Sequence, residues 1–242
     1  MDADLVIFDK DGTLIDVHYY WGGMVELRAK MLSEKYIEPR QQEQVTQELM
    51  FNMGIDLDSR KIKPAGPVGI KPREFIIDIA YQTIKQYFDA ITLEQVSSVF
   101  KEIDMYSQVH LTQLVQPLPS VEALLIMLKQ QKIKIAIATT DLTSRAKIAM
   151  ESIDLNHYFD DIAGVDLVKN AKPSPDLVHY LCDKMSVDIK KTLMIGDSIV
   201  DLEMAEAAKV GFVGVKTGLH SPEFLERSKV LIDDLSQLKI NA

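Results

Sequence analysis

The chain has 242 residues, 47% apolar and 26% charged, with 11 Gly and 9 Pro. At about 150 residues per domain this predicts one or two domains with ample core, and it excludes collagen-like, low-complexity and disordered chains. Thirty-six acidic against 27 basic residues, net charge −9, exclude a large nucleic-acid footprint, because phosphate backbones are bound mainly through Lys and Arg. A small local anion site stays compatible with that balance.

The lone cysteine, Cys182, cannot form an internal disulfide and points to a reducing compartment. No segment approaches the roughly 18 apolar residues of a membrane span. The start, Met1–Gly12, lacks the basic opening and long apolar stretch of a signal peptide. These readings predict a soluble cytoplasmic protein with neither nucleic acid nor membrane as partner; oligomeric state stays open.

In chain order, Leu5–Phe8 is a buried strand. Helical patterns follow over Tyr19–Glu38 and Gln41–Met53, then a Gly/Pro-rich loop, Lys63–Pro72, expected to be ordered by something it touches. Arg73–Phe88 is helical, and Thr92 to Gln95 has the spacing of a capping box. Pro117 and Pro119 mark a change of pattern. Ser120 is placed to cap a helix through Leu128, and Ser174-Pro175-Asp176 reads as a cap, a first-turn proline and an acid. Another helix covers Val200–Lys209 and stops near Gly211. Further strands are expected at Ile133–Ala138, Asp161–Val165, Thr192–Ile195, Val210–Val215 and Lys229–Ile232. Continuous apolar strands alternating with helices predict a doubly wound parallel α/β sheet. The expected core is residues 1–16 plus 116–242, interrupted after its first strand by an all-helical insertion, 17–115.

Four strand ends or helix starts carry chemistry. Leu5–Phe8 runs into Asp9-Lys10-Asp11-Gly12-Thr13, two acids at i and i+2 beside a glycine, where open α/β sheets bind ligands. Met194-Ile195-Gly196-Asp197-Ser198-Ile199-Val200-Asp201 again ends a strand in acids, the oxygen donors Mg²⁺ prefers. Thr139 and Thr140 close a third strand with hydroxyls. Lys172 precedes a helix start, and both features favour an anion. Taken singly, each has a plain alternative: a solvated acidic turn, a helix cap or a surface lysine.

Together, in this order and spacing, they resemble the haloacid dehalogenase superfamily, in particular its phosphatases with a helical cap, the phosphoglycolate phosphatase and β-phosphoglucomutase branch. The family's Asp-x-Asp-Gly-Thr matches Asp9 to Thr13, its Thr or Ser matches Thr139, its Lys-Pro-x-Pro-Asp matches Lys172 to Asp176, and its Gly-Asp-Ser-x-x-Asp matches Gly196 to Asp201. The match covers the core; over the cap it is one of position and helical character.

The resemblance implies roles. Asp9 would attack phosphorus and Asp11 would act as acid and then base. Mg²⁺ would be held by the Asp9 carboxylate, the Asp11 backbone carbonyl and Asp197, assisted by Asp201. Lys172 would neutralise Asp9 and phosphate. Thr139, with Thr140 and the backbone of Gly12 and Thr13, would hold phosphoryl oxygens. The cap would close over the core to exclude bulk water. His18 and Trp21, just past the first motif, are candidate substrate contacts or hinge packing. Lys71 and Arg73 are candidate anion ligands or solvated surface. Lys10 receives no side-chain role. The implied activity is Mg²⁺-dependent hydrolysis of a small phosphorylated metabolite; a mutase-type phosphotransferase and a non-catalytic regulatory or scaffold protein are the alternatives.

Overall fold

The structure, a computed structural model, describes residues 2–63, 66–68 and 71–240. It divides into two compact units, Met1–Asp16 with Val115–Ala242, and Val17–Leu114. Among the described residues no helix is long and apolar enough to cross a membrane.

The first unit is built on six parallel strands: β1 (Leu5–Phe8), β2 (Lys134–Ala138), β3 (Asp161–Ala163), β4 (Thr192–Gly196), β5 (Gly211–Val215) and β6 (Leu231–Ile232). Their order is β3-β2-β1-β4-β5-β6. The chain winds outward on one side of β1 and then returns to its other side, so the switch in direction falls between β1 and β4. Phe8 stands level with Ile137 of β2 and Ile195 of β4.

The second unit holds helices α1 (Val17–Tyr36), α2 (Gln42–Met53), α3 (Arg73–Lys85), α4 (Leu93–Val109) and the short α5 (Leu111–Leu114), with no strand among its described residues. It packs α1 on α2 and α4, and α3 on α2 and α4. Ala29, Leu32, Val45, Leu49, Ala80 and Phe100 are fully buried there. Residues 64–65 and 69–70 of the Gly/Pro-rich loop lie outside the described residues. Its described part is tied to the end of α2: Lys63 N–H donates to the Gly54 carbonyl, and Val68 N–H to that of Met53.

The first unit's helices are α6 (Val121–Gln130), α7 (Thr143–Ser152), α8 (Asp176–Met185), α9 (Ile199–Ala208) and α10 (Pro222–Arg227). Leu5, Ile7, Ala136 and Ala138 pack with Leu177, Leu181, Met204 and Ala205 of α8 and α9. The alternate side chains Val6, Phe8, Ile135 and Ile137 are also fully buried, and α6 packs on β2. Burial on both faces explains the unbroken apolar runs.

The α/β class read from the sequence is the class observed; several boundaries differ. β3 ends at Ala163 because Val165–Leu167 turns into a short 3₁₀ helix, and β6 shortens to two residues at the sheet edge. Ser120 stands at the start of α6 with φ 69° and no side-chain cap bond. Pro175, one residue later than expected, caps α8, while Ser174 Oγ donates to Asp176 Oδ1. Helix α9 closes through the left-handed Lys209, and Gly211 opens β5 instead.

Candidate active site

The register puts the ends of β1, β2 and β4 at one edge of the sheet. Asp9 follows β1 and its N–H donates to the Ile195 carbonyl at 2.8 Å; Asp197 follows β4. Asp201 lies in the first turn of α9 as part of a capping box, with its Oδ2 accepting from both N–H and Oγ of Ser198. Asp9, Asp197 and Asp201 are buried, and one carboxylate oxygen from each lies within 4.8 Å of the other two. Lys172, on the approach to α8, inserts a buried ammonium 2.6 Å from Asp9 Oδ1 and 2.6 Å from Asp201 Oδ1.

Two of the three buried carboxylates are thus paired with Lys172, and Asp197 lies beside them. Burial pushes the Asp9 carboxyl up to about 7, with Lys172 pulling it down and Asp201 and Asp11 pushing it up. Burial, then Asp9 and Asp201, hold Asp197 well above the carboxylate range. Burial works against the charge on Lys172, but Asp201 and Asp9 outweigh it, so its value is raised and it stays an ammonium. Excess acid with oxygen donors alone fits a hard divalent ion such as Mg²⁺. Asp11, named with these acids through its backbone carbonyl, keeps its carboxylate outside the trio.

The turn after β1 is shaped by Gly12, whose φ of +90° suits glycine. Its N–H donates to the Ile15 carbonyl at 2.8 Å. Thr13 is fully buried, and its hydroxyl faces Asp197 Oδ1 at 3.4 Å. Lys10, left without a role in the sequence reading, is an unexpected member: its side chain is 5% exposed, 2.7 Å from Asp11 Oδ2 and 3.7 Å from Asp141 Oδ2. Its place between two acids in the chain was the one signal for an ion pair with Asp11; nothing in the sequence pointed to Asp141.

Thr139 is buried, and its Oγ1 accepts from the Asp141 N–H at 3.1 Å, which leaves the hydroxyl proton to donate. Thr140 is exposed on the same loop. The other candidates belong to the helical unit. His18 Nδ1 accepts from Ile62 N–H at 3.3 Å, and Trp21 meets the Tyr20 ring edge-on at 5.1 Å. Lys71 is exposed with its ammonium 5.8 Å from the Phe75 ring. Arg73 pairs with Asp104, which also pairs with the buried Arg28 at 2.9 Å.

The doubly wound sheet thus carries buried acids, a lysine and a hydroxyl beyond its strand ends. The family model described as haloacid dehalogenase-like hydrolase matches residues 3–209. The chain belongs to that family and is an enzyme. It is 27% identical over 236 residues to a protein of Dickeya dadantii named "Probable phosphatase IndB", covering 97% of this chain and 91% of the relative. Two solved structures share the fold. One, of a predicted phosphoglycolate phosphatase from Haemophilus somnus, is 20% identical with TM-score 0.67, covering 97% of this chain and 95% of the other. The second, of a HAD-superfamily hydrolase from Geobacter sulfurreducens, is 19% identical with TM-score 0.66, covering 96% and 92%.

Proposed function

We propose that the chain is a Mg²⁺-dependent phosphatase that hydrolyses a small phosphorylated metabolite through a phosphoaspartate on Asp9. The observation that carries this reading is the Lys172 ammonium bonded to Asp9 and Asp201 beside Asp197. A carboxylate attacking an anionic phosphoryl group faces like-charge repulsion, and a cation fixed on that carboxylate reduces it. Membership of a hydrolase family with a phosphatase-named relative supports the same class.

An Asp9 carboxylate oxygen attacks phosphorus as the ester oxygen departs, and Asp11 gives that oxygen its proton. The resulting Asp11 carboxylate takes a proton from water as the water oxygen attacks the phosphoaspartate, releasing inorganic phosphate and restoring Asp9. Thr139 donates to a phosphoryl oxygen, with Thr140 and the Gly12–Thr13 backbone as further donors. The Asp9 and Asp197 carboxylates and the Asp11 carbonyl would hold Mg²⁺, with Asp201 assisting. When bound, the ion supplies positive charge against the phosphoryl oxygens. The helical unit is the candidate source of substrate selectivity, through His18, Trp21 and Lys71. Acid-rich composition and a single cysteine suit a cytoplasmic metabolite enzyme rather than a nucleic-acid binder.

Turnover of an aryl phosphate after EDTA treatment and Mg²⁺ readdition tests this. Activity should vanish with EDTA and return with Mg²⁺, and Asp197→Asn should raise the Mg²⁺ needed by roughly tenfold or more. Full activity in excess EDTA would end this reading.

A further inference from the structure

The loop after β5, Lys216–His220, has no part in the roles above, yet it touches the site at three points. Thr217 Oγ1 donates to the Gly12 carbonyl at 2.6 Å, which ties the loop to the turn carrying Asp11. Leu219 N–H donates to Asp197 Oδ2 at 3.1 Å. Gly218 lies so close to Asp197 that a Cβ there would overlap the carboxylate, and a Cβ on Gly12 would come 2.5 Å from Asp197 Oδ2 and 2.9 Å from the Gly218 Cα. Gly12, Asp197 and Gly218 thus form one stack, possible only where two of its three members lack side chains. His220 Nδ1 donates to the Gly218 carbonyl at 3.2 Å, a further bond within the loop.

We infer that this loop is a positioning element for the Asp197 carboxylate, with Thr217 and Gly218 as positioning residues that set Asp197 for a divalent cation; this rests on the reading of Asp197 as a metal ligand given above. A carboxylate that turns about the Cβ–Cγ bond presents different oxygens. The Leu219 N–H on Oδ2 stops that rotation, and Gly218 leaves the room for it. The Thr217 bond fixes the distance between this clamp and the turn of Asp9 and Asp11. Partners that orient a ligand in this way typically change metal affinity by about 10–100-fold when removed.

Mn²⁺, which favours the same oxygen donors, is a direct probe, because free and bound Mn²⁺ differ in electron paramagnetic resonance without any turnover. The full chain is titrated as wild type, Gly218→Ala, Thr217→Val and Thr217→Ser, each checked for native circular dichroism and an unchanged metal-free melting temperature. Gly218→Ala should weaken Mn²⁺ binding by roughly 10–100-fold and Thr217→Val by a smaller factor. Thr217→Ser, which keeps the hydroxyl, should bind as wild type. Should Gly218→Ala fail to fold, the contrast between Thr217→Val and Thr217→Ser decides. Wild-type affinity in Thr217→Val overturns the loop's role while leaving Asp197 as a ligand. A wild-type chain that binds no Mn²⁺ overturns the metal reading itself, and this role with it.

Discussion

Asp9 is buried among acids, and its carboxyl is pushed up to about 7 by that burial and by Asp201 and Asp11, against the pull of Lys172. Its folded value lies above the ordinary 3.8, so the metal-free native state holds more protons than the unfolded chain between those two values. That contribution to stability is complete below 3.8 and is lost as pH rises through about 7. Asp197, also raised, acts in the same direction. A metal needs these groups charged and competes with their protons. The rise in Tm on adding Mg²⁺, measured by scanning calorimetry, should therefore be larger at about pH 8 than at about pH 5. A larger shift at the acid end would contradict the assignment of these carboxylates to one cation. At this scale the sequence marked Asp9, Lys172, Asp197 and Asp201 because each stands at a strand end or helix start, where open sheets expose groups to ligands. It left Lys10 and Thr217 unmarked. Their partners, Asp141 and the Gly12 carbonyl, are brought to them only by the folding of distant loops.

At the scale of elements, helix α9 does two things with one acid. Asp201 closes the capping box with Ser198 through Oδ2 and meets Lys172 through Oδ1. Ser198→Ala removes the hydroxyl from that box, and the cost of a lost cap is about 1 kcal/mol. Urea denaturation of the metal-free chain should show that loss as a lower midpoint with an unchanged slope. An unchanged midpoint would mean that Lys172 and the Ser198 N–H hold Asp201 in place without the hydroxyl. Helix starts were legible where the side chain itself makes the cap: Thr92 and Gln95 form the expected reciprocal bonds. They were less legible where the backbone decides. Ser120 takes a left-handed φ of 69° and makes no side-chain cap bond, and Ser174 turns its hydroxyl to Asp176. The edge strand β6 shrank to Leu231–Ile232, since residues there pair with a neighbour on one side only.

At the scale of the whole molecule, the α/β class was legible because β1, β2 and β4 are buried on both faces and therefore read as unbroken apolar runs. Strand order was not: nothing local in the chain says that β1 lies between β2 and β4, and this order makes Asp9 and Asp197 neighbours. In the proposed chemistry the core groups address the phosphoryl group and the metal, which every substrate shares. Selection among substrates then falls to the helical unit. Trp21→Ala and Lys71→Ala should change the ratios of kcat/KM across a panel of phosphorylated metabolites; a uniform fall over the panel would instead indicate damage to folding. The central claim is that Asp9 takes the phosphoryl group and Asp11 moves the protons, and rapid-quench mass spectrometry tests it most directly. With an activated aryl phosphate, whose leaving group needs little protonation, Asp11→Asn should still phosphorylate Asp9. Hydrolysis of that adduct should slow by roughly 10²–10⁴-fold, so a phosphoryl mass should accumulate on the peptide containing Asp9 and be absent from Asp9→Asn. Normal turnover by Asp9→Asn, or a label that maps to a serine or histidine, would contradict the account.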